Sequence, residues 1–159
     1  MPVLSNNTKA VLFTENLVDI KVLKSANANV VQKLDYVLQR PRNDFGKPYG
    51  RMSGSVMSIT IPVGSNVMKD FYERLLSNES QALTFVYNVT YDQSGTIASF
   101  DSAIVAEGYV IELAERYSTE PVDNEEKDVI MLDISFLLTA ITYVGENDNL
   151  KHDFVNLYS

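Results

Sequence analysis

The side chains that could do chemistry are few. His152 is the only histidine and cysteine is absent, so thiolate nucleophiles, disulfides and the usual zinc and copper sites are excluded. A Ser–His–Asp arrangement would have to recruit His152, and no Gly-x-Ser-x-Gly turn exists to present the nucleophile. Gly46, Gly50 and Gly54 recur every four residues, but no Gly-Lys-Ser/Thr follows and the flanks read as strands, so they do not make a phosphate loop. Glu120, Asp123, Glu125, Glu126 and Asp128 form an acidic run without the alternating ligands and central glycine of a calcium loop. It reads as a solvated acidic loop or as a partner for a basic surface. Glu107, Glu112 and Glu115 fall on one predicted strand, with nothing to mark a paired acid and base. The expectation is a protein that is not an enzyme and holds no cofactor or metal.

The charge pattern carries more. Between Gln39 and Ser55 lie Arg40, Arg42, Lys47 and Arg51 against the single acid Asp44, a local charge of about +3. The whole chain carries −8, which leaves about −11 on the rest. This stretch has neither helical nor alternating period, and structureless loops of its length inside compact domains are uncommon. A basic arm shaped by Gly and Pro on an acidic body suits docking onto an acidic surface, which in a homo-oligomer can be the next copy. The competing reading is a solvated loop whose charges keep it soluble.

Stepping outward, the elements that hold this loop read as strands. Lys9 to Phe13, Leu17 to Ser25 and the second half of Val30 to Leu38 precede it, the first half of the last being ambiguous. Ser55 to Val63 follows, with Met57, Ile59 and Ile61 on one face. Pro62 belongs at a strand end or edge. Asn66 to Ser77 is the one convincing helix, with Val67, Met68, Phe71, Tyr72, Leu75 and Leu76 spaced as one apolar face. Leu83, Phe85, Tyr87, Val89 and Tyr91 alternate with polar residues, the clearest strand pattern in the chain. Ala103 to Tyr117 is another strand, Thr119 to Asp128 a loop, and Val129 to Val144 a long apolar run whose phase blurs at Leu137 to Ala140 as at a bulge. A short final strand is expected at Asp153 to Tyr158.

The sum predicts a mainly β fold in one domain spanning 1–159. It is a small antiparallel β-barrel of two curved sheets, with one helix at about 66–77 and an extended loop at about 39–55. The N-terminal residues lack a basic region and a long apolar run, so no signal peptide is expected. No run reaches the roughly 20 apolar residues of a membrane span. A net charge of −8 disfavours general nucleic-acid binding.

The segment DYVLQRPRNDFGKPYGRMSGSVMSITIPV resembles the haemolysin-coregulated protein (Hcp) family, the tube subunits of bacterial type VI secretion, in its shorter, divergent members. The matching positions are Tyr36 and Leu38, then Asp44, Gly46 and Pro48, then Ser53-Gly54-Ser55 and Ser58-Ile59-Thr60-Ile61. A helix with Phe71, Tyr72 and Arg74 and three long strands follow in the same order. The similarity covers roughly Val18 to Gly145. The chain departs from the family pattern in an extra segment at about Leu23 to Leu34 and a C-terminal extension at 146–159.

The resemblance implies a β-barrel that assembles head to tail into a hexameric ring. It implies rings that stack into a tube within a contractile sheath, a spike-tip protein at the end, and effector cargo in the lumen. Phage tail-tube proteins share this architecture. It also implies cytoplasmic synthesis and export through the secretion apparatus. Arg42, Asp44, Lys47, Tyr49 and Arg51 are then the expected contacts to a neighbouring subunit, with Gly46 and Pro48 shaping the loop. The alternatives are a soluble barrel binding a small apolar ligand with the loop as its lid, and an enzyme using carboxylates alone.

Overall fold

The computed structural model describes residues 4–5, 10–14, 20, 23–39, 42, 44–47, 53–54, 56–62, 65–122, 125–145 and 149–153. In chain order its strands are β1 (Leu4–Ser5), β2 (Ala10–Phe13), β3 (Asn29–Val30), β4 (Lys33–Asp35), β5 (Leu38–Gln39), β6 (Ser53–Gly54) and β7 (Val56–Pro62). The helix α1 (Ser65–Leu76) follows, then β8 (Gln81–Tyr87), β9 (Thr90–Tyr91), β10 (Ile97–Ser99), β11 (Ser102–Val122), β12 (Glu125–Val144) and β13 (Asn149–Asp153). All pairings among the described residues are antiparallel. Among the described residues no helix is long and apolar enough to cross a membrane.

The main sheet runs β3-β2-β8-β11-β12-β7-β4, with β13 also on β12. Its two outermost strands, β3 and β4, are consecutive in the chain. Between them the Val31 amide donates to the Ala10 carbonyl at 3.2 Å, and the Gln32 amide donates to the Thr60 carbonyl at 2.9 Å. One segment, 29–35, therefore pairs with β2 at its start and β7 at its end, and draws the sheet round into a barrel. Half of this segment was ambiguous in the sequence because it changes partner midway. It also lies largely within the stretch read as an addition to the family pattern.

The barrel interior is filled by Leu12, Ile59, Leu83, Phe85, Ile134 and Phe136, with Phe71 of α1 inserted among them. A second core lies on the opposite face of β2 and β8, where Val11, Phe13 and Val86 meet Leu23, Val89, Tyr91, Ile97 and Phe100. Strands β2 and β8 are thus buried on both faces. The expected strand through Tyr91 stops at Tyr87, because Asn88 takes φ 53°, a left-handed conformation that Asn tolerates better than most residues. Thr90 and Tyr91 pass into a separate sheet, β1-β9-β10, and Val89 lies between the two sheets.

α1 spans Ser65–Leu76, within one residue of the expected helix at each end, but its apolar face is narrower. Phe71 is buried and Val67 and Leu75 pack against the core, whereas Tyr72 and Leu76 face solvent. Arg74 fixes the helix to its surroundings. Its guanidinium pairs with Asp70, donates to the Gln81 side chain at 2.8 Å and caps the Thr14 carbonyl.

The blurred phase near Leu137 is a bulge. Register shifts between Glu107 and Gly108, so that Thr139 is the extra residue, and its hydroxyl donates to the Glu107 carbonyl at 3.1 Å. Gly108 is required there, since a Cβ would collide with the carbonyl oxygen of Leu137. A second shift, between Val110 and Glu112, leaves Ile111 out of register.

The acidic stretch expected as a loop is strand. β11 continues to Val122 and β12 begins at Glu125, so only 123–124 separate them. The final strand lies at Asn149–Asp153 and places His152 opposite Ile141. The predicted strand beyond Asp153 falls outside the described residues, as does most of Leu17–Val22.

Candidate functional site

Two features depart from the barrel, and β7 orders them. Its Val56 end faces Leu137 and its Pro62 end faces Met131. The basic loop precedes Val56. The tip of the β11–β12 hairpin lies beyond Met131. The two features therefore leave opposite ends of one strand.

The loop is clasped at its base. Leu38 pairs with Gly54 and Gln39 with Ser53, so the chain between them leaves and returns at one point as an arm. Asp44 to Gly46 form a turn in which Gly46 takes φ 80°, with open space where a Cβ would stand. That left-handed conformation suits glycine. Arg42, Asp44 and Lys47 are exposed. Pro48, Tyr49 and Arg51 lie outside the described residues. Phe45, not among the expected contacts, is 90% exposed at the turn. Its signal was available, as an aromatic residue inside an otherwise polar run, Asn43-Asp44-Phe45-Gly46-Lys47.

The hairpin forms the second feature. β8 covers the edge of β11 only from Ser102 to Gly108, and β7 covers β12 only from Met131 to Leu137. From Tyr117 opposite Ile130 to Val122 opposite Glu125, the two strands pair with each other beyond the reach of β8 and β7. Six residue pairs at about 3.4 Å each extend this ribbon by roughly 20 Å. Glu125 on it is exposed, as are Glu112 and Glu115 on the part of β11 that leads to it.

A polar row anchors the ribbon where it leaves the sheet. Lys33, Thr60 and Asp133 are neighbours across β4, β7 and β12. The Thr60 hydroxyl donates to Asp133 Oδ1 at 2.6 Å, while Arg116 donates from Nε to Oδ2 at 2.7 Å and from Nη2 to Oδ1 at 3.2 Å. The Arg116 hydrogen bonds, followed by that from Thr60, hold the Asp133 carboxyl below the usual carboxylate range.

Glu107 and Glu115 of β11 are not placed as a pair. Glu107 is half-buried beside Arg74, in a shallow cleft with Thr14 and Gln81. Glu115 lies eight positions further along the strand, at about 3.4 Å per residue. Among the described residues no group of three His, Asp or Glu side chains is placed to hold a metal ion. Burial raises the phenol of Tyr36, and burial together with the neighbouring Tyr36 pushes Tyr87 up to about 12. Both phenols are neutral and serve packing.

The architecture, a curled antiparallel sheet closed by one segment, plugged by one helix and bearing a basic arm, defines a known structural class. It is the fold of the Hcp proteins. A crystal structure of an Hcp protein superposes with a TM-score of 0.60, covering 91% of this chain and 98% of that one at 13% identity. The secreted protein Hcp3 from Pseudomonas aeruginosa gives 0.58 over 94% and 99%, at 14% identity. Hcp1 from the E. coli EAEC 042 pathovar gives 0.53 over 96% of each chain, at 16% identity. No protein-family model and no curated protein matches the sequence.

Proposed function

We propose that this chain is a ring-forming structural subunit of the inner tube of a bacterial contractile injection apparatus of the type VI secretion kind. The observation that carries the reading is end-to-end agreement of fold. The likeness to Hcp structures takes in at least 91% of this chain and 96% of each of the three, so it is a likeness of the whole fold and not of a fragment. The separation of arm and ribbon to opposite ends of β7 adds to it. Unlike surfaces at opposite ends suit a heterologous contact, which closes into a ring when its rotation allows.

On this reading Arg42, Asp44, Lys47, Tyr49 and Arg51 contact the neighbouring subunit, and Gly46 and Pro48 shape the arm. The partners are further copies of the chain, then sheath and spike proteins, and effectors carried in the ring lumen. A phage-like tail-tube subunit would use the same construction. The ligand-binding barrel loses support because its interior is occupied by Phe71, Phe85 and Phe136, all fully buried.

Light scattering after gel filtration tests the reading, with negative-stain images alongside. A six-subunit mass and ring-shaped particles are expected. A strict monomer across concentration and salt would sink it.

A further inference from the structure

We infer that segment 29–35 is a strap that opens and shuts while the rest of the barrel stays folded. The opening belongs to a single copy of the chain and is independent of the ring reading.

The ladders of the main sheet are uneven. β7 pairs with β12, and β8 with β11, over seven residue pairs each. The strap pairs with β2 over two and with β7 over three. Val31, Gln32 and Tyr36, at the ends of these pairs, are not in strand, so the ladders stop there. The Val31 and Gln32 amides bridge the change of partner by bonding the Ala10 and Thr60 carbonyls.

Burial is uneven in the same way. No side chain from Asn29 to Tyr36 is fully buried. Val31, Leu34 and Tyr36 pack against the core yet stay half-buried, whereas Ile59, directly opposite Leu34, is enclosed. The Asn29 side chain adds one hydrogen bond to the Leu12 carbonyl at 3.2 Å. The Lys33–Asp35 ion pair is exposed and lies within the strap itself, where such pairs contribute little. A segment with short ladders and little buried apolar surface opens at a lower free energy than the core.

The neighbours of the strap do not need it. With the strap out, β2 keeps its ladder with β8 and β7 keeps its ladder with β12. Anchors on both sides confine the motion. Before the strap, the Ser25 amide donates to the Gly95 carbonyl at 2.8 Å. After it, Leu38 and Gln39 are clasped on Ser53 and Gly54. Opening therefore turns a closed barrel into an open sheet and bares the edge of β7.

Native-state hydrogen exchange on the full chain tests this. The Val31 and Gln32 amides should exchange roughly a hundredfold or more faster than those of β8 and β12. Their rates should respond little to dilute urea, because a local opening exposes little surface. Equal protection with equal urea dependence would mean that the strap leaves only when the whole protein unfolds, and would overturn the inference.

A lock gives a second readout. Asp35 and Ser58 are exposed and directly opposite, and opposite residues on paired strands lie within disulfide reach. The chain has no native cysteine. In Asp35→Cys with Ser58→Cys, oxidation should slow exchange at Val31 and Gln32 by about tenfold or more, and reduction should restore it. A disulfide that forms without slowing exchange also overturns the strap. The wild-type comparison decides even if the pair does not oxidise.

Discussion

Asp133 and Arg116 meet across the β11–β12 hairpin in a two-point contact, at 2.7 and 3.2 Å, at the level where the sheet ends and the ribbon begins. The Thr60 hydroxyl approaches the same carboxylate from β7. One carboxylate thus ties three strands, and its second partner is buried while its first faces water. Arginine suits this position because its planar fork donates to both carboxylate oxygens.

The Asp133 carboxyl has a lower pKa in the folded protein than in the unfolded chain. A group depressed on folding contributes stability above its unfolded value, near 3.8, and loses it as pH falls through the folded value. The resistance of wild type to urea should therefore weaken below about pH 4, and Asp133→Asn should flatten that part of the profile. An unchanged profile would remove the contact from the acid response.

Thr60→Val keeps the shape of the side chain and deletes its hydrogen bond. A loss of about 1 kcal/mol is expected in urea titration at neutral pH. The effect should shrink when Asp133→Asn is already present, as a double-mutant cycle would reveal.

Gly108→Ala places a methyl group where the Leu137 carbonyl lies. The strands must separate at the bulge, with an expected cost of about 1–3 kcal/mol or more. Chemical denaturation reads the cost directly, and wild-type stability would show that the bulge can relax.

Tyr91 is 6% exposed and its hydroxyl has no hydrogen-bond partner among the described residues. Burial raises its phenol pKa, as expected for a group with nothing to stabilise its charged form. Tyr91→Phe should be neutral or raise stability by up to about 1 kcal/mol. A clear loss of thermal stability would mean that the hydroxyl is satisfied after all.

Replacing Pro41 to Gly54 with a short turn should leave the barrel folded and abolish assembly. Arg51→Glu should weaken assembly more at low salt than at high salt, because exposed charges are screened. Wild-type oligomers from the shortened chain would remove the arm from the interface.

The parts of this fold that were legible in the sequence are those where one face meets one core. α1 was bounded to within a residue because Phe71, Val67 and Leu75 share a face, and Met57, Ile59 and Ile61 marked β7 for the same reason. Thr139 was foreshadowed by the broken phase of β12. Legibility failed where strands serve other purposes. Thr119–Val122 and Glu125–Asp128 are acidic strands held by each other, so no apolar period announced them. Val89 and Tyr91 continued an alternation across a left-handed Asn88, and pattern alone cannot see a change of sheet. Tyr72 and Leu76 extended the helix stripe beyond the surface that the core can cover. For the candidate site, charge located the arm and the acidic run, but their placement at opposite ends of β7 required the register.

The segment that closes the barrel also constrains how the chain comes to fold. Its first ladder partner, β2, depends on β8, and its second, β7, leans on β12, whose pairing residues begin at Met131. The ladders β2–β8, β8–β11, β7–β12 and β4–β7 join strands that are not consecutive in the chain, and long-range pairing of this kind slows folding. On the ribosome, β7 must wait for most of the chain before its ladder with β12 can form. The newborn protein passes through a stage with unpaired apolar edges, when protection from aggregation matters most.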